Sequence, residues 1–123
     1  MEKKDYQSPV VGQEISCIMK NIDVSFFDDN QKLKQLVIET LNNSKFGILN
    51  SVEHEFSPQG FTMMALLSES HFALHTYPEH NAVYFSIYSC RGPKDSEPVF
   101  KELKEKLKPK EILFLNDNEI PLV

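Results

Sequence analysis

Cysteine is scarce in this chain. Only Cys17 and Cys90 occur in 123 residues, which is too few for a secreted disulfide framework, and they lack a C-x-x-C metal spacing. Reduced thiols in a cytoplasmic protein are therefore expected. No stretch approaches the roughly 20 consecutive apolar residues that span a bilayer. Residues 1–13 are polar and charged, with no apolar run of signal-peptide length. No membrane partner is expected. A Lys/Arg cluster interleaved with aromatics is also missing, and the formal charge of −5, from 13 basic and 18 acidic residues, argues against nucleic acid as a partner while tolerating a cationic ligand. Internal repeats, low-complexity tracts and interdomain linkers are absent as well.

What remains, a 123-residue chain that is 41% hydrophobic, has the material for one core, so residues 1–123 are read as a single domain. A chain this small leaves much of its surface exposed. A site that must exclude water is more easily built between two copies, which points to a homodimer.

Residues 1–12 read as a loose lead-in to an apolar strand at 15–19. Asp28, Asp29 and Asn30 mark a helix start, and 31–43 places Leu33, Leu36, Val37 and Leu41 on one face at helical period. From Phe46 the pattern turns to extended runs at 47–56, 61–67, 71–76 and 82–90, broken by Pro58-Gln59-Gly60 and Pro78-Glu79-His80-Asn81. Asp95 and Ser96 offer caps for a second helix at 97–107, with Val99, Phe100, Leu103 and Leu107 in one stripe; Pro109 stops it and 112–115 is a last strand. The expected class is α+β, an antiparallel sheet with two helices on one face.

Residues 66–90 hold His71, His75 and His80, three of the four histidines, together with Glu69, Glu79 and Cys90. A turn centred near His80 would set Ser70 opposite Cys90, and opposed residues lie roughly 5 Å apart. A hydroxyl and a thiol would then share one small site. His75, five residues along a straight strand, falls about 16 Å away and on the other face, so either the strand is irregular or a second copy contributes.

The run Glu69-Ser70-His71-x-x-x-His75-Thr76-x-Pro78-Glu79, followed by Cys90, resembles without a gap the signature of the short bacterial and archaeal S-adenosylmethionine decarboxylases. The likeness extends through His54, Phe56, Pro58, Gly60 and Thr62 upstream and Pro98 downstream, covering roughly residues 46–116. This resemblance implies a proenzyme that cuts itself between Glu69 and Ser70 into fragments 1–69 and 70–123. Ser70 would become a pyruvoyl group that forms a Schiff base with the substrate amine, with no external cofactor. It further implies that His75 serves processing, Thr62 assists it from a place where serine is usual, and Cys90 donates the proton in catalysis. Glu79 would bind ribose hydroxyls, Phe56 would stack on adenine, and two protomers would pack as an αββα sandwich. The implied product is decarboxylated S-adenosylmethionine for spermidine synthesis.

The chain departs from the pattern at Tyr77, where Trp is common, at Ser86, where Asp is usual, at Arg91, which interrupts the usual Cys-Gly, and at Gly12-Gln13-Glu14, where many members read Gly-x-His. These departures keep two alternatives open. One is ornithine or arginine as the substrate of the same chemistry, and the other is a non-catalytic regulatory relative. His54, His71 and His80 are read as structural, and Cys17 as a small core residue. A metal pair at the spacing of His71 and His75 would need a helix, whereas Phe72-Ala73-Leu74, Tyr77 and Pro78 favour a strand, so no metal site is expected.

Overall fold

The computed structural model describes residues 7–123. The expected lead-in at 1–12 therefore lies partly outside the described residues. Within them the elements run β1 (Val11–Lys20), α1 (Ser25–Asp28), α2 (Asn30–Asn43), β2 (Ile48–Glu55), β3 (Phe61–Leu67), β4 (Ser70–Tyr77), β5 (Ala82–Ser89), α3 (Glu97–Leu107) and β6 (Glu111–Pro121), with a 3-10 turn at Pro78–His80. All six strands form one sheet in the order β2-β3-β4-β5-β1-β6, every neighbour antiparallel. The class is α+β, as the pattern of elements implied.

Helix α2 begins where the acidic run suggested, because the Asp29 carboxylate accepts from the Lys32 N–H at 3.0 Å. Its buried Leu33, Val37 and Leu41 join Val99, Leu103 and Leu107 of α3 and the inward residues of the sheet in one core. Ile15, Cys17 and Met19 of β1, Phe72 and Leu74 of β4, and Val83, Phe85 and Ile87 of β5 alternate onto that side. Among the described residues, no helix covers the opposite face. There Val52, Met64 and Leu66 stay more than half or about half exposed beside His71, Tyr84 and Tyr88.

Four expectations need correction. A one-turn helix, α1, precedes α2 and buries Phe26; four residues are too few to show a helical period. Strand β1 starts at Val11 rather than residue 15, because buried Gln13 reads as polar but is satisfied inside the fold. Its Nε2 donates to Asp117 at 2.8 Å and its Oε1 accepts from the Ser96 N–H at 2.8 Å. Strand β6 runs to Pro121, far past residue 115, as an edge strand held by backbone pairing to β1, and its exposed residues leave no alternation to read. Ser96 precedes α3 but makes no side-chain cap; its Oγ donates to Gln13 O at 3.2 Å, and Asp95 is engaged elsewhere.

Candidate active site

Ser68 and Glu69 form the tight turn between β3 and β4, so the Glu69–Ser70 peptide lies where the chain enters β4. Ser68 is fixed by its N–H, which donates to Gly47 O at 2.8 Å. A Cβ on Gly47 would meet Ser68 Oγ, so a side chain there would require the Ser68 hydroxyl to rotate away.

The expected pairing of Ser70 with Cys90 is off by one residue: Ser70 faces Ser89, and Cys90 meets Glu69. The cause is loop parity. Tyr77 pairs with Ala82, leaving four residues, 78–81, in the connection, so the hairpin axis passes between Glu79 and His80 instead of through His80. Asn81, left-handed at φ 44, closes the turn. The consequence favours chemistry, because the Glu69 carbonyl accepts from the Cys90 N–H at 3.3 Å and also from the Cys90 thiol. Two donors thus converge on the carbonyl of the Glu69–Ser70 peptide. Ser70 Oγ, on the residue that follows this carbonyl, is the single buried side-chain N or O among the described residues with no hydrogen-bond partner.

A second cluster sits at the far end of β4. Thr62 and His75 are register partners on β3 and β4, and Thr62 Oγ1 is hydrogen-bonded to His75 Nδ1 at 3.0 Å. They line a cleft of about 350 Å³ with Phe56, Tyr77 and Glu79. Gln59 Nε2 donates to Glu79 at 3.2 Å, and Phe56 stands 53% exposed, its N–H bonded to Gly60 O at 2.9 Å across the β2–β3 loop. Gly60 adopts φ 111, a conformation that glycine alone takes easily.

The predicted residues therefore fall into two groups. Glu69, Ser70 and Cys90 meet at one end of β4, while Phe56, Thr62, His75 and Glu79 meet at the other. Strand β4 pairs without a register shift on both sides, so it is regular, and His75 lies on the face opposite Ser70. A single chain does not unite the groups. His71 stacks on Tyr88 with ring centres 5.9 Å apart, and its position on a strand agrees with the extended reading. Cys17 is buried, and burial pushes its thiol up to about 12. Neither cysteine forms a disulfide.

Sequence reasoning missed a polar network behind the turn. Arg91 joins Asp95 and Glu69, and Asp95 accepts from Ser89 Oγ. The available signal was the i, i+4 spacing of Arg91 and Asp95, but such a pair usually denotes a solvated helix, and here it lies in a loop.

The family model described as S-adenosylmethionine decarboxylase matches residues 13–116. Among relatives, the S-adenosylmethionine decarboxylase proenzyme 2 of Bacillus anthracis is 34% identical over 101 residues, 82% of each chain. The S-adenosylmethionine decarboxylase proenzyme of Pyrobaculum arsenaticum is 30% identical over 113 residues, 90% of each chain. In fold, the chain is similar to the crystal structure of the adenosylmethionine decarboxylase from Aquifex aeolicus VF5, with a TM-score of 0.78, 22% identity, and coverage of 91% of this chain and 90% of that one. A match over most of the length, joined to relatives at 30% identity or more, settles the lineage: this chain belongs to the S-adenosylmethionine decarboxylase family.

Proposed function

We propose that the chain is a self-processing decarboxylase acting on S-adenosylmethionine, cut between Glu69 and Ser70 and carrying a pyruvoyl group made from Ser70. The observation that carries this reading is the unpartnered Ser70 Oγ beside a peptide carbonyl on which Cys90 directs two donors. A buried hydroxyl without a partner costs about 1–3 kcal/mol, a cost that a nucleophile's role accounts for.

Attack of Ser70 Oγ on the Glu69 carbonyl carbon would form a C–O bond while the Cys90 N–H and thiol stabilise the developing oxyanion. Breaking the C–N bond then leaves an ester with a free Ser70 amine. Removal of the Ser70 α-proton by a base expels the Glu69 carboxylate, and hydrolysis of the resulting dehydroalanine releases ammonia and leaves the pyruvoyl group. His75, held by Thr62, is the proposed base. The pyruvoyl group supplies an electron sink for loss of carbon dioxide. Cys90 would then deliver a proton to the product carbon, a role that fits a reducing, cytoplasmic location. Phe56 and Glu79 offer an aromatic face and a carboxylate for the adenine and ribose of the substrate. The product would serve spermidine synthesis.

His75 cannot serve Ser70 of its own chain, since five residues of regular strand separate them by about 16 Å and they face opposite ways. A homodimer that packs the two helix-free faces together would lay His75, Thr62, Phe56 and Glu79 of one protomer over the turn at the start of its partner's β4, where the Glu69–Ser70 peptide and the Cys90 thiol meet. The exposed Val52, Met64 and Leu66 on that face favour such a cover. Carbon dioxide release from S-adenosylmethionine, ornithine and arginine, assayed in parallel on purified protein, tests the substrate. Release from S-adenosylmethionine alone is expected, and release from an amino acid with none from S-adenosylmethionine would overturn this assignment.

A further inference from the structure

Arg91 follows Cys90 directly, and its guanidinium is engaged on every side. It pairs with Asp95 through Nε at 2.7 Å and Nη2 at 3.2 Å, donates Nη1 to Lys45 O at 2.9 Å and Nη2 to Ser44 O at 3.0 Å, and covers the Phe46 ring 3.8 Å from its centre. Arg91 Nε also stands 3.7 Å from Glu69 Oε2, with the two side chains only 22% and 24% exposed. Asp95 accepts in addition from the hydroxyl of Ser89, the register partner of Ser70.

Sorted by the proposed cut, Ser44, Lys45, Phe46 and Glu69 lie on the N-terminal fragment, while Ser89, Arg91 and Asp95 lie on the C-terminal one. Arg91 thus grips Glu69 from across the bond to be broken. Its own orientation is set by Asp95 and by the carbonyls that end α2, none of which belongs to the turn.

We propose that Arg91 is a positioning residue for self-cleavage, acting through the Glu69 carboxylate to keep the Glu69 carbonyl on its Cys90 donors while Ser70 Oγ attacks; this rests on the processing reading above. A two-residue turn has few contacts of its own to fix it, and displacement of a reacting carbonyl by about 1 Å can cost 100-fold in rate. The planar fork is needed because four oxygens besides those of Glu69 share it, an arrangement that a lysine ammonium cannot reproduce.

The test is a double-mutant cycle on the cleavage rate of the full chain, made by cell-free synthesis and followed as loss of the uncut species. Glu69→Gln and Arg91→Ala should each slow cleavage roughly fivefold or more, and the double variant should be no slower than Arg91→Ala, because both changes remove one pair. Multiplying effects would mean that Arg91 acts through the fold alone and would overturn the proposal. Glu69→Gln leaves every other Arg91 bond in place, so its cleavage at the wild-type rate overturns the proposal even if Arg91→Ala fails to fold. A wild-type chain that never cleaves refutes the processing reading instead, an outcome distinct from equal rates in wild type and Glu69→Gln.

Discussion

At the scale of single residues, hydroxyls and thiols are told apart by what holds them. Thr62 supplies a hydroxyl at a position where the resemblance leads one to expect serine, and that hydroxyl is bonded to His75 at 3.0 Å. Thr62→Val should therefore slow self-cleavage about 10- to 100-fold, whereas Thr62→Ser should cleave at close to the wild-type rate, measured as the half-life of the uncut chain. The two cysteines differ in the same way. Burial raises the Cys17 thiol from 9.0 to about 12, so it stays neutral and unreactive in the fold, while Cys90 is only partly buried. Iodoacetamide at pH 8 should label Cys90 and spare Cys17 until the protein is unfolded, as read by peptide mapping. Because the folded pKa is raised, Cys17 contributes stability in full below pH 9.0 and loses it as pH rises from there toward about 12. Ser70, His75 and Cys90 stand out in the sequence as candidates because their spacing is specific. Arg91 shows as a departure from the family pattern and through its i, i+4 spacing to Asp95, but that spacing reads as a solvated helical pair and not as a loop network.

Among the elements, parity and burial decide what a sequence reveals. Helices α2 and α3 and strand β3 lie close to their expected bounds because their apolar stripes are buried. Strand β6 escapes because an exposed edge does not alternate, and the start of β1 escapes because Gln13 is buried through side-chain bonds that only the tertiary fold provides. Near that start, a Cβ on Gly12 would stand 2.6 Å from Ser89 O and 2.7 Å from Tyr88 Oη. Gly12→Ala should thus push β1 off the end of β5 and cost about 1–3 kcal/mol, read as a lowered urea midpoint. On the other side of the sheet, Lys34 and Gln31 of α2 donate to Glu53 of β2 and hold its carboxyl below 4.5. A lowered folded pKa means that this tie stabilises at neutral pH and is lost as pH falls through the lowered value. The gap in urea midpoint between wild type and Glu53→Gln should narrow from pH 7 to pH 3, modestly, because both partners are near the surface.

For the molecule as a whole, the division of the site between two ends of β4 is the feature that the sequence left open and the regular register of β4 resolves against an irregular strand. If the halves meet across a dimer, co-expressed Ser70→Ala and His75→Ala chains should complement, the intact His75 of one serving the intact Ser70 of the other, so that the His75→Ala chain is cut although neither variant cleaves alone. No cut chain in the mixed protein would speak against sharing. The claim on which everything else depends is the cut itself, and intact mass spectrometry of the purified protein tests it most directly. The account predicts two fragments, one of 69 residues and one of 123 − 69 = 54, the smaller beginning with a pyruvoyl group in place of Ser70. A single uncut chain of 14.2 kDa after prolonged incubation would contradict it.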